Sequence, residues 1–472
     1  MILISIFLPI FIGASFTQLL WHDRLFFKRT LFLKLSISVG LGFGISSCIF
    51  FMWLVVFNQY NNGFIIVEVF LFVLLAALNI LRKERNNSNA FLKSETEKNK
   101  DAPAIFFYII FLLSFIFFII ITIKMPHGDW DAWAVWNMRA RFLFRGGEYW
   151  KDGFSKILYW SNLDYPLLVP GLVARCWKFA GNGTALVPQA ISMLFTFSTV
   201  CLLFSSISVI KGRIYGLLAS TVLLGTSFFV LLGASQYADV PFSFFSLSVI
   251  ALFFIKDIFP EDQFGLSVLI GLMSGLGAWT KNEGLLFLFF IVIARFAALG
   301  YLKNIKIYFK ELIPFSLGFM PIFAIVIYFK THIAPPLYLL REQHGFFPTF
   351  EKITSISRHA VILKGFIKHF TSFDLSITSP VYILIIFGVL CGIKIKKEHE
   401  INILTAVTAL CLMLTSYYFI FLSTSRDLIW HMGTSLDRLL LQIWPAFIFI
   451  YFMIIENNGE PQGDSASGNI KK

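Results

Sequence analysis

The chain alternates between long uncharged apolar blocks and short polar breaks. Leu186 to Ile210, Ile214 to Leu232 and Ile403 to Leu422 contain no Asp, Glu, Lys or Arg. A run of about 18 or more such residues is long enough to cross a bilayer as a helix. Backbone polar groups inside lipid must pair within the chain, which leaves helices or barrel strands. Barrel strands alternate apolar and polar positions and these blocks do not, so helices are predicted. The pattern predicts an all-α, polytopic membrane protein with about thirteen spans. They lie near 2–20, 36–57, 64–81, 104–123, 186–210, 214–232, 241–255, 264–280, 284–300, 311–329, 379–395, 401–422 and 438–455. The first block has neither a basic start nor an A-x-A-like cleavage site, so it is predicted as a span rather than a signal peptide.

The polar breaks set an orientation, because Lys- and Arg-rich loops stay cytoplasmic. Linker 21–35 carries Arg24, Lys28, Arg29 and Lys34, and linker 82–103 carries Arg82, Lys83, Arg85, Lys93, Lys98 and Lys100. Lys211 with Arg213, the trio Lys303, Lys306 and Lys310, and the trio Lys394, Lys396 and Lys397 mark three more such turns. The alternate turns 58–63 and 233–240 have no Lys or Arg, and one register satisfies them all, with residue 1 outside and the tail inside. Pro166 to Ala180 is too short to span and contains Arg175 and Lys178. Counting it as a span would put Lys211 and Arg213 outside, so a juxtamembrane helix on the outer surface is predicted.

The predicted organisation is therefore N-terminal spans and a cytoplasmic linker over 1–103, a membrane region over 104–455, and a polar tail, 456–472, of disorder-prone composition. The membrane region has three outer segments, 124–185, 330–378 and 423–437.

Composition agrees: 57% of residues are hydrophobic and 14% charged, well below the share of charge in a soluble domain. The net charge of +12 follows from the cytoplasmic loops, and no basic patch interleaved with aromatics points to nucleic acid. The five cysteines (Cys48, Cys176, Cys201, Cys391 and Cys411) form no C-x-x-C pair, which argues against a disulfide framework or a zinc site.

Chemistry concentrates in the outer segments. The stretch His127 to Phe142 holds Asp129 and Asp131 beside Trp130, Trp133 and Trp136. As a helix from Asp131 it places Trp133, Trp136, Ala140, Leu143 and Phe144 on one face, and Asp131, Met138, Arg141 and Arg145 on the other. This is the pattern of an amphipathic helix lying on the membrane. Two acids at a helix start serve equally as caps, as a general base or as a cation site. Asp164-Tyr165-Pro166 and Tyr237-Ala238-Asp239-Val240-Pro241 repeat the theme of a carboxylate at a helix mouth, where capping is again the simpler role. Lys281 and Glu283 sit between two spans with almost no loop, so they pair with each other or meet a ligand. The last loop brings His431, Asp437 and Arg438, the arginine being able simply to snorkel to the interface. His332, His344, His359 and His369 in segment 330–378 have no metal-site spacing. Arg341, Arg358, Lys364 and Lys368 there suit the steering of an anionic head group. No Gly-rich nucleotide loop is present, and no inverted pair of broken helices favours a secondary transporter.

Taken in order, these residues resemble the bacterial GT-C glycosyltransferases, multi-span enzymes that use lipid-linked sugars. The likeness is to the protein mannosyltransferase-like and Rgt-like (family 39/83-like) members. It rests on Trp130-Asp131-Ala132-Trp133-Ala134-Val135-Trp136-Asn137 with Arg139-Ala140-Arg141, on Asp164-Tyr165-Pro166-Leu167-Leu168, and on Tyr237-Ala238-Asp239-Val240-Pro241. Thr280-Lys281-Asn282-Glu283-Gly284-Leu285, Trp430-His431 and Thr434-Ser435-Leu436-Asp437-Arg438-Leu439 complete it, over roughly residues 104–455. The resemblance implies a GT-C-type fold with juxtamembrane helices in the first large outer loop. It implies a hexosyl- or pentosyltransferase of the bacterial inner membrane, acting on the periplasmic side. The donor would be a polyprenyl-phosphate sugar, and the acceptor a cell-envelope glycan, lipid or protein. On that pattern Asp131 is the catalytic carboxylate, with Asp129 as a possible sharer, and Lys281, Arg139 and Arg438 meet the phosphate. Arg141, Asp164, Tyr165, Tyr237, Asp239, Glu283, His431 and Asp437 would line the substrates. No cofactor is implied, although Asp129 and Asp131 would admit a divalent cation. The three spans before residue 104 depart from the simplest family layout. The rival readings are a lipid-linked-glycan flippase, which would need charges at mid-membrane depth, and a glycan polymerase or ligase.

Overall fold

The computed structural model describes residues 1–22, 27–58, 61–84, 101–335, 346–373 and 379–456. Arg24, Arg85, Lys93, Lys98, Lys100, Arg341, His344 and the tail 457–472 lie outside the described residues.

The described chain is helical, with one isolated bridge between Ile393 and Ile455. It runs through α1 (Ile2–Leu20), α2 (Phe27–Phe57), α3 (Gly63–Glu84) and α4 (Asp101–Lys124). The first large loop follows, with a π-helical turn (Ala132–Trp136), α5 (Asn137–Arg145), two 3₁₀ stretches (Gly147–Phe154 and Lys156–Ser161) and α6 (Leu168–Ala180). Then come α7 (Leu186–Lys211), α8 (Arg213–Gly225), α9 (Ser227–Ala234), α10 (Asp239–Ile258), α11 (Gln263–Thr280), α12 (Asn282–Tyr301) and α13 (Ile305–His332). The remainder is α14 (Phe346–Thr354), α15 (Ile356–Ser372), α16 (Pro380–Cys391), α17 (Glu400–Ser423) and α18 (Leu428–Ile454).

Eleven of these helices are long and apolar enough to cross a membrane, or twelve if α8 and α9 form one bent span. The chain is thus a polytopic helical membrane protein. Two expected spans differ from the prediction of thirteen. The block 214–232 is not one straight helix but bends by 65° between α8 and α9. The break falls at Thr226, whose backbone leaves the helical region, and Trp444 Nε1 donates to its hydroxyl at 3.0 Å. The block 379–395 yields only the twelve residues of α16, which ends at Gly392 with φ +82°. Twelve residues rise about 18 Å, short of the ~30 Å hydrocarbon thickness.

Helix α10 is the central post: 89% of its apolar window is buried, against 11% for α4 at the periphery. Phe244 and Phe245 on α10 meet Phe195 of α7 edge to face, at 5.8 and 6.0 Å. Bulk here is matched by close backbone approach elsewhere. A Cβ on Gly271 of α11 would lie 2.0 Å from the Phe315 carbonyl, and one on Gly318 of α13 2.1 Å from that of Val268. Small residues at such crossings are how helices pack where lipid removes the hydrophobic drive.

The segment 166–180 corrects another expectation. It is no span, but neither does α6 lie on the surface: Leu168 to Trp177 are all buried. The reason is Glu68 of α3. Arg175 Nε donates to both Glu68 oxygens at 3.1 Å, its Nη2 closes the pair, and its Nη1 donates to the Ser5 carbonyl of α1. With Arg175 neutralised and Lys178 kept near the exposed end of the helix, α6 is apolar enough to sit inside the protein. The extra N-terminal spans therefore form the wall behind the first large loop.

Candidate functional site

Four separate chain segments meet at one end of the bundle. Lys281 and Glu283 flank the break between α11 and α12. Lys281 itself is extended (φ −150°, ψ 163°) and is the single residue linking the two helices. Asp239 opens α10, where a carboxylate suits the positive end of the helix dipole. Arg438 and Gln442 lie one turn apart on α18 and so share a face. The fourth segment is the loop carrying Asp131, which needs a specific clasp to arrive. Gly128 turns the chain at φ +75°, close enough to residues 235–236 that a Cβ would lie 2.5 Å from the Ser235 carbonyl. Gln236 then ties the loop down, donating to the Pro126 carbonyl at 3.2 Å and accepting from Asn137 Nδ2 at 2.8 Å. The Asp131 N–H donates to the Tyr237 hydroxyl at 3.4 Å.

The result is a continuous charge relay. Asp131 Oδ2 lies 2.7 Å from Arg438 Nη2, which lies 3.0 Å from Asp239 Oδ2. Asp239 Oδ1 accepts from Lys281 Nζ at 2.9 Å and from Gln442 Nε2 at 2.6 Å. Lys281 lies 3.2 Å from Glu283 Oε1. Asp239 is fully buried, while Asp131 and Arg438 retain about a fifth of their side-chain exposure. The relay therefore runs from the interior to an accessible mouth at Asp131. Burial disfavours a charged Lys281, but Asp239 and Glu283 outweigh it and hold its pKa above the ordinary lysine value. The Arg438 guanidinium also lies 4.6 Å over the Tyr237 ring. Burial, reinforced by Asp131, raises the Tyr237 phenol above its usual value, so it stays a proton donor.

A second polar group adjoins the first. Asp164 Oδ2 accepts from Asn282 Nδ2 at 2.6 Å and lies 3.4 Å from Lys330 Nζ, which itself donates to Asn282 Oδ1 at 2.5 Å. Tyr165 sits between the groups, stacked on Trp136 (5.5 Å, 12°) and with Lys281 Nζ 5.7 Å from its ring. Burial first, then Glu283 and Asp164, push its phenol well above the ordinary range. Glu283 Oε2 is buried with no hydrogen-bond partner among the described residues, an open acceptor of the kind that calls for a ligand or water.

Of the sequence candidates, Asp131, Asp164, Tyr165, Tyr237, Asp239, Lys281, Glu283 and Arg438 converge. Others do not. Arg139, expected at the phosphate, is fully buried, and its Nη2 donates to the Ser161 and Asn162 carbonyls at 2.7 and 3.1 Å. Burial lowers its pKa to about 10, against the opposing charge of Asp164, so it remains a cation at neutral pH. Its task is to hold the loop that presents Asp164 and Tyr165. Arg139→Lys is expected to destabilise the fold by about 2 kcal/mol, because an ammonium cannot reproduce the fork. Thermal unfolding in detergent checks this. Asp129 is exposed and accepts from the Trp130 N–H at 2.7 Å, a local cap. Asp437 pairs with His369 of α15 at 2.7 Å, and His431 bonds Thr424 at 3.0 Å. Arg141 is half-buried on α5.

The amphipathic reading of 131–145 also changes. The π turn over Ala132–Trp136 shifts the register, and Trp136, Ala140 and Leu143 are buried in the protein, leaving Trp130 and Trp133 exposed. No group of three His, Cys, Asp or Glu able to hold a metal occurs among the described residues. Asp131 is engaged by Arg438 and Asp129 by the Trp130 N–H, so the two carboxylates form no ready-made cation cage. Lys330, Asn282 and Gln442 are site residues that the sequence reading left out. For Gln442 a signal existed: a lone amide in an apolar helix, one turn past Arg438.

No protein-family model, no curated protein and no solved structure matches this chain. The site's own chemistry therefore carries the functional reading.

Proposed function

We propose that this protein is a membrane-embedded glycosyltransferase of the GT-C type. It would move a sugar from a polyprenyl-phosphate donor to a cell-envelope glycan, lipid or protein, on the face that the basic loops assign to the periplasm. The observation that carries the reading is the relay from Asp131 through Arg438 and Asp239 to Lys281. It sets one accessible carboxylate beside cations at the mouth of a helical bundle, where a lipid tail can remain in the bilayer while its phosphate sits at the rim.

The chemistry suits an inverting displacement. Asp131 accepts the proton of the acceptor hydroxyl as its oxygen bonds to the anomeric carbon. The bond from that carbon to the phosphate oxygen breaks, and the electron pair leaves with polyprenyl phosphate. Arg438 and Lys281 stabilise the charge gathering on that phosphate. Arg438 is shared by Asp131 and Asp239, so an arriving phosphate would compete with Asp131 for it and free the base. Glu283 Oε2, buried and without a partner among the described residues, would accept a hydrogen bond from a sugar hydroxyl. No cofactor is needed, because the leaving group is already a phosphate ester.

The test is reconstitution of the full chain in liposomes with a radiolabelled polyprenyl-phosphate sugar and a panel of envelope acceptors. Transfer with release of polyprenyl phosphate is expected. Movement of intact donor across the bilayer without bond cleavage would instead establish a flippase and overturn the proposal.

A further inference from the structure

The mouth at Asp131 is framed by two aromatic side chains that the charge relay does not use. Between Ala132 and Trp136 every residue is buried except Trp133, which is 42% exposed. Trp130, just before Asp131, is 60% exposed. The π-helical turn makes this selection: it carries Ala132, Ala134, Val135 and Trp136 inwards and leaves Trp133 beside Trp130. The two indoles touch, with ring centroids 4.4 Å apart and planes at 70°. They form a corner of two apolar faces, on a loop that Gly128 and Asn137 clasp to residues 235–236. Trp136 lies on the inner side, stacked on Tyr165, whose ring is 5.7 Å from Lys281 Nζ. Asp131 thus stands between an inner aromatic pair next to the cations and an outer aromatic pair that is open.

Exposed indoles on a membrane protein ordinarily sit at the head groups, where Lys and Arg accompany them. The company here is acidic. Met125 to Met138 contains Asp129 and Asp131 and no Lys or Arg, and like charge keeps carboxylates away from anionic head groups. Asp129 is exposed and uses one oxygen to accept from the Trp130 N–H at 2.7 Å, which leaves the other for donors from outside. Aromatic faces set among carboxylate acceptors match a sugar. The C–H face of a pyranose packs on an indole, and its hydroxyls donate to the carboxylates. An acyl chain would cover the indoles and leave the carboxylates without donors. Resting on the transfer reading above, we propose that Trp130 and Trp133 form the acceptor subsite and that the acceptor is a glycan. Its terminal sugar stacks in the corner, with the reacting hydroxyl turned to Asp131. A neighbouring hydroxyl donates to Asp129, a contact that an amide oxygen would keep.

The experiment is saturation-transfer NMR on the full chain in nanodiscs, with no donor present. The probe is the pool of oligosaccharides released by mild acid from the source cell envelope. The wild type should bind members of this pool, and Trp130→Ala with Trp133→Ala should weaken that binding by about tenfold or more. Both side chains are exposed, so unfolding in detergent should match the wild type. Trp130→Phe with Trp133→Phe keeps two aromatic faces and should retain most of the binding. Asp131→Asn should bind the oligosaccharides as the wild type does. In the transfer assay the alanine pair should raise the acceptor KM by the same factor and leave the donor KM and kcat unchanged. Three results would each overturn the proposal: no oligosaccharide bound by the wild type, equal binding by the alanine pair, or quenching of these two indoles by brominated phospholipid, which would make the corner a membrane anchor. Binding is read without donor, so it holds or fails independently of whether the chain transfers sugar.

Discussion

Asp131→Asn is expected to lower sugar transfer by about 10²–10⁴-fold, the usual contribution of a positioned general base. The substitution keeps the shape of the side chain and removes its ability to take a proton. It leaves the Tyr237 contact intact, since that contact is made by the Asp131 N–H. The neutral amide also weakens the link to Arg438, but Asp239 still holds that guanidinium at 3.0 Å. The chain should therefore express and insert normally, with unfolding in detergent close to the wild type. Asp129→Asn is the matched control. Its carboxylate accepts from the Trp130 N–H and makes no ion pair with Arg438 among the described contacts, and activity should persist. Full activity in Asp131→Asn would remove this residue from the mechanism. A loss of folding together with activity would reduce the relay to a structural latch.

The largest effect on stability is expected at the other side of the first loop. Glu68 and Arg175 are both fully buried and bonded to each other. Removing one member leaves an uncompensated charge in the protein interior, at a cost of about 3–5 kcal/mol. Glu68→Leu and Arg175→Met should each show this loss in denaturant unfolding in micelles. The double variant should recover most of it, because two apolar side chains in place of a buried ion pair are often neutral or better. Additive losses in the double variant would mean that the pair does not act as a unit. Transfer should fall with the Arg175 variant as well, since α6 backs the segment that carries Asp164 and Tyr165.

Much of the architecture was legible in the pattern of residues, and specific residues show why. The uncharged blocks forced helices, because unpaired backbone has no place in lipid. The grouping of 124–185, 233–240 and 280–284 with the last loop also holds: Asp131, Asp239, Lys281 and Arg438 do meet. Charge alternation across loops requires such sharing of one end, whichever residues make contact there. Arg139 was misread for a physical reason. It entered as a phosphate ligand through the family resemblance alone, yet the five donors of a guanidinium serve equally well to tie carbonyls of a folded loop. The surface placement of 166–180 failed likewise, because Arg175 looked costly to bury until Glu68, more than a hundred residues away, came alongside it.

The pattern of apolar blocks and basic loops determined by itself that this chain is a helical membrane protein, and which polar segments gather at each end. Those properties follow from solvation of backbone and charge, which each segment satisfies on its own. Only the tertiary structure decided that Arg438 bridges Asp131 and Asp239, that Lys281 joins them from a one-residue break, and that Arg139 and Asp437 are occupied elsewhere. Ion pairs and hydrogen bonds are settled within an ångström or so, and that precision comes from the crossing of helices remote in sequence, not from the period of any one of them.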